Sequence, residues 1–126
     1  MREALIILYL ISCVVAGAVA DGLNEKGKTM WGHPVEALCI ALLLIGPFIF
    51  FREIDFGLGI LWLITYTSWN IVLFDMIHNL VKGQPILYLG DSNIWDRFFK
   101  KQLPQGVIWM RLIFLIPAIS IPLNYF

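Results

Sequence analysis

The amino-acid sequence predicts an all-α membrane protein with four transmembrane helices and a short interfacial amphipathic helix. Three observations lead there. Hydrophobic residues make up 60% of the 126 positions, charged residues only 14%, and the apolar residues gather in four long runs. Soluble chains average roughly 45–50% apolar and about 25% charged. A soluble domain of this length has too little interior to hide the surplus, so the surplus faces lipid. The whole chain, 1–126, is expected to form a single transmembrane domain.

The four runs cover residues 4–20, 35–51, 57–79 and 106–125. The first carries no charge. The second carries only Glu36, the third only Asp75 and the fourth only Arg111. A helix crosses a bilayer with about 20 mostly apolar residues, within a range near 17–25, and all four runs fall in that range. None alternates as a lipid-facing barrel strand would. Ala18-Val19-Ala20 before Asp21 matches the small-residue cleavage signature of a secretory signal; the run is read here as a retained helix.

Breakers refine each element. Pro34 suits the first turn of the second helix, where a missing N–H is harmless. Gly46-Pro47 should kink that helix, as Pro117 and Pro122 should kink the fourth. About five residues join the second and third helices, so these two are antiparallel neighbours. Residues 93–103 read as an amphipathic helix. Ile94, Trp95, Phe98 and Phe99 are its apolar side, Asp96, Arg97, Lys100 and Lys101 its polar side, Asp91 or Ser92 its cap and Pro104 its end. Aromatic residues beside lysines suit a helix lying flat in the headgroup layer.

Loop charge sets an expected orientation. Face A, the face of Met1 and Phe126, carries Arg2 and Arg52. Face B carries Lys26, Lys28, Lys82, Arg97, Lys100 and Lys101. Basic residues near helix ends stay in the cytoplasm. Face B is therefore expected to be cytoplasmic, with both chain ends extracytoplasmic, in the plasma (inner) membrane.

Composition also excludes functions. Nine basic residues balance nine acidic ones, so there is no electrostatic footprint for nucleic acid. Cys13 and Cys39 sit inside apolar runs and read as small buried hydrophobes, not as a disulfide or metal pair. The chain has no glycine-rich phosphate loop and no serine at a nucleophile elbow. The expected partners are the lipid bilayer and either another protein or a second copy of the chain.

Polar residues collect at face B. Asp21 ends the first helix there, His33 and Glu36 open the second, and Asp75, His78 and Asn79 close the third; Asp91, Asp96 and Arg97 lie in the loop, and Arg111 enters the fourth helix. At 100° per residue Thr67, Ser68, Asp75, His78 and Asn79 span roughly 120° of the third helix, a stripe expected to face the bundle interior. Asn70, off the stripe, is expected to bond to a neighbouring helix. Ionisable residues in membrane helices are functional hypotheses by default.

Three readings stand for Asp75. The first is an ion pair with Arg111, which enters the membrane at about the same depth. The second is a divalent metal site of His33, Glu36, Asp75 and His78, with Asp21, Asp91 or Asp96 able to complete the coordination sphere, since each i, i+3 pair shares a helical face and facing carboxylate and histidine pairs build di-metal sites in bundles. The spacing departs from the usual Glu-x-x-His order. The third groups a proton relay, a lipid headgroup site and snorkelling to the interface.

The set Asp75, Asn79, Gly83, Tyr88, Gly90 and Asp96-Arg97 resembles small polytopic membrane proteins of bacteria and their phages. That resemblance implies no activity. Three functions stay open: a non-enzymatic binding or assembly component with a polar cluster at its cytoplasmic face, a membrane-embedded metal-dependent or lipid-acting enzyme, and an ion- or proton-coupled conduit through Asp75 and Asn70.

Overall fold

The structure, a computed structural model, describes residues 1–27, 29–86 and 106–126. Among the described residues it is all-helical and has no strand: α1 (Arg2–Glu25), α2 (Thr29–Phe50), α3 (Phe56–Lys82) and α4 (Gly106–Tyr125). Each helix is long and apolar enough to span a membrane, as a multi-pass membrane protein requires. The expected interfacial helix, 93–103, lies outside the described residues.

The helices outrun the apolar runs at face B. With 24 residues, α1 is about 36 Å long at 1.5 Å per residue, beyond the roughly 30 Å of a hydrocarbon core. It continues through Asp21 and Glu25 to a turn at Lys26 and Gly27, whose φ of +74° is a left-handed conformation suited to glycine. The expected 21–34 loop thus shrinks to a tight turn. As a consequence Pro34 falls inside α2 and not in its first turn. Hydropathy stops at the first charge, whereas a helix stops only where its backbone is capped.

The caps of α3 are explicit. Asp55 accepts from the Leu58 N–H at 2.7 Å at its start. At its end Gly83 is left-handed, and the N–H groups of Gly83 and Gln84 bond back to Leu80 and Asn79 at 3.1 and 2.9 Å, a Schellman closure. The α2–α3 connection is the short one expected and the two helices are antiparallel, but their backbones are not the packing neighbours expected: each lies against α1 instead.

The central helix is α1, packed against α2 and α3 and touching α4, while α4 lies mainly on α3. Its buried residues Ile6, Leu10, Cys13, Val14 and Ala18 recur every three or four positions, one face of a helix. Small residues there let backbones approach, the usual basis of helix association in lipid. Toward face A the core is aromatic. Tyr9, Phe50, Phe51, Trp62 and Phe126 pack with ring centroids 5.2 to 6.2 Å apart. Arg2 reaches the Phe126 carbonyl and lies 5.1 Å from the Phe51 ring centroid.

Gly46-Pro47 is the joint of this core. Proline at 47 has no N–H for the carbonyl of Leu43 one turn earlier, and the Trp62 indole N–H supplies the missing donor at 3.2 Å. Tyr9 donates its hydroxyl to the neighbouring Leu42 carbonyl at 2.5 Å. A Cβ at Gly46 would stand 2.4 Å from the Trp62 ring and 2.8 Å from Tyr9, so only glycine admits both rings. Cys13 and Cys39 are free and buried.

Candidate metal centre

Extending α1 to Glu25 changes which polar residues meet. Asp21 and Glu25 are one turn apart on α1, and His78 and Lys82 one turn apart on α3, so each pair lies on one helical face. The two faces oppose because Gly22 lets the helices close: a Cβ there would lie 2.8 Å from Val81 and 3.6 Å from the His78 ring.

The imidazole Nε2 of His78 lies 3.4 Å from an Asp21 oxygen and 3.4 Å from the Oε1 of Glu25. Asp21, Glu25 and His78 each offer one ligand atom, all within 4.8 Å of one another. The His78 nitrogen is buried and has no hydrogen-bond partner among the described residues. Both contacts are long for hydrogen bonds, which centre near 2.9 Å. They do match the edge of a tetrahedron: ligand distances of 2.0–2.1 Å around zinc separate ligand atoms by about 3.3 Å.

Neighbouring groups orient the donors. The His78 ring stacks on Phe74 at 5.9 Å with an interplanar angle of 16°. Lys82 binds the Oε2 of Glu25, which leaves Oε1 turned toward His78. Lys26 donates to the Val81 carbonyl, capping the end of α3 and tying the two helix ends together. The carboxylates of Asp21 and Glu25 are each about half exposed, so an ion has a route in.

The four residues grouped from the sequence as metal ligands separate. His33 and Glu36 pair with each other on α2 at 3.8 Å, both well exposed, and Asn24 donates to Glu36 at 3.4 Å. Asp75 faces Arg111 at 3.9 Å. Only His78 enters the α1–α3 cluster, joined by Asp21. The rotation of α3 explains this: His78 points at α1, while Asp75 points toward α4.

The expected interior stripe also divides. Ser68 and Asn79 are buried, but Thr67 and Asp75 are exposed. Asn70 is half-buried on α3, one turn from Tyr66, and among the described residues it makes no hydrogen bond to a neighbouring helix of the kind expected. Buried Asn79 donates to the Ile86 carbonyl at 3.3 Å and so holds the chain leaving α3. Asp91, Asp96 and Arg97 lie outside the described residues. Toward face A the interior is filled by Ile6, Leu10, Val14 and Trp62.

Arg111 is buried, and its three guanidinium nitrogens have no hydrogen-bond partner among the described residues. Its compensation is the carboxylate of Asp75. Asp75→Asn should therefore destabilise the bundle by about 1–3 kcal/mol, the range for stranding a buried polar group. Adding Arg111→Met should recover much of that loss. Reversible unfolding in mixed micelles measures both, and a double variant no more stable than Asp75→Asn would refute the pairing.

Glu25 was missed from sequence because 21–34 read as a loop, and Lys82 because the third run was ended at residue 79. The signal was there in the i, i+4 spacings Asp21/Glu25 and His78/Lys82. No protein-family model, curated protein or solved structure matches the chain.

Proposed function

We propose that this chain is a small multi-pass membrane protein that binds one divalent metal ion at its face B helix ends, as a non-enzymatic binding component. The observation that carries the reading is the buried His78 nitrogen, without a hydrogen-bond partner among the described residues, set 3.4 Å from each of two carboxylates. Imidazole with carboxylate oxygen suits Zn(II) or another first-row ion. The excess of basic residues at face B supports a cytoplasmic position for the site and extracytoplasmic chain ends.

Zn(II) titrated into the chain in lipid nanodiscs, followed by calorimetry and by elemental analysis after desalting, should saturate at one ion per chain. Retention of no stoichiometric metal would sink the proposal. Three protein ligands leave a fourth position for water, the arrangement of catalytic zinc sites, and this favours a second reading as a metal-dependent enzyme. Its test is hydrolysis of a phosphodiester or ester probe that depends on both added Zn(II) and His78.

A further inference from the structure

A separate cavity of about 280 Å³ opens between α1, α2 and α3, lined among others by Asp21, Glu36, Ile40, Leu43, Tyr66 and Phe74. Two carboxylates stand at its face B end. Apart from Gly17 and the Cys39 thiol, the rest of the wall is aliphatic and aromatic. From Glu36 to Leu43 it follows α2 for two turns, about 10 Å at 1.5 Å per residue. It ends where the Trp62 indole is fastened to Leu43.

Among the described residues, no lysine or arginine pairs with either carboxylate at the mouth. Lys82 is engaged by Glu25 and Lys26 by the Val81 carbonyl. Among the described residues, Asp21 meets only the His78 imidazole, and Glu36 only His33 and Asn24. Two anionic groups above a narrow apolar chamber select a cation that carries its own apolar body. The rings of Tyr66 and Phe74 offer aromatic surface to that apolar body. A phospholipid headgroup is disfavoured, because its phosphate would stand beside Asp21 and Glu36.

We infer that this cavity binds a small organic ammonium ion, its nitrogen between Asp21 and Glu36 and its hydrocarbon part against Tyr66, Phe74 and Leu43. The volume, just below the 300–1,000 Å³ of ordinary ligand pockets, sets the size at one ring or a short branched chain. Asp21 also belongs to the metal cluster, so metal and ammonium compete for it, and each should weaken the other by the same factor. Glu36 belongs to the cavity alone and His78 to the metal cluster alone, so the two sites fail separately.

Room for a blocking side chain exists at Gly17, which lines the cavity and where a Cβ would meet nothing within 4 Å. The experiment uses the full chain in phosphatidylglycerol nanodiscs with benzyltrimethylammonium, read by calorimetry and ligand-detected NMR. Saturable binding is expected, weakened at least ten-fold by Glu36→Gln and abolished by Gly17→Leu. His78→Ala should leave it within about two-fold, and Glu36→Gln should leave Zn(II) binding intact. Neopentylbenzene, the uncharged analogue, should not compete. Absence of saturable binding, or binding unchanged in both Glu36→Gln and Gly17→Leu, would overturn the inference. So would competition by neopentylbenzene, and so would loss of probe binding when phosphatidylethanolamine is added to the disc, which would assign the cavity to a lipid headgroup.

Discussion

His78→Ala is expected to lower Zn(II) affinity at least a hundred-fold while leaving the helices assembled. The imidazole is the one nitrogen donor of the cluster, and both 3.4 Å contacts run through it. Without it two half-exposed carboxylates remain, one of them held by Lys82, and such a pair has little hold on a borderline ion. The fold should survive because the helices close through Gly22 against Val81, not through the ring itself. Asp21→Asn should weaken binding as well. His33→Ala serves as the control: its ring is exposed and faces Glu36, so affinity should stay within about two-fold. Equal losses from His33→Ala and His78→Ala would restore the ligand set expected from sequence and discard the α1–α3 cluster.

Trp62→Ala should produce the largest loss of stability, about 3–5 kcal/mol, the range for deleting a buried large aromatic side chain. The residue is 2% exposed, sits among four rings, and donates to the carbonyl that Pro47 leaves without a partner. Trp62→Phe removes the hydrogen bond and keeps most of the packing, so it should cost only about 1 kcal/mol. Gly46→Ala places a methyl group 2.4 Å from the same ring and should destabilise by about 1–3 kcal/mol, as overpacking does. In the Trp62→Ala background that loss should largely vanish, because contacting residues are not additive. Reversible unfolding in mixed micelles, followed by circular dichroism, measures all four chains. If Trp62→Ala costs less than 1 kcal/mol, α2 is not docked through this joint.

The number, order and direction of the helices could be read from the chain alone. Hydropathy is a property of each segment against lipid or water, so four long apolar runs with at most one charge each imply four spans wherever the neighbours lie. Polar residues could be assigned to face B for the same reason, since charged groups keep out of hydrocarbon. The five-residue link at residues 51–55 made α2 and α3 antiparallel without reference to packing, but it did not make their backbones neighbours, because both pack on α1.

Which polar residues meet was a different matter. Partnership depends on the rotation of each helix about its axis, and that is set by close approaches at Gly22 and Gly46 that no single segment encodes. Continuation of α1 to Glu25 and of α3 to Lys82 joined these two residues to the site, and the early start of α2 at Thr29 carried Pro34 into that helix. Rotation of α3 turned His78 toward α1 and Asp75 toward Arg111, dividing a set that spacing had grouped. A membrane solvates every outward apolar face equally well, so the amphipathic pattern that orients helices in water is weak here, and orientation falls to these steric contacts.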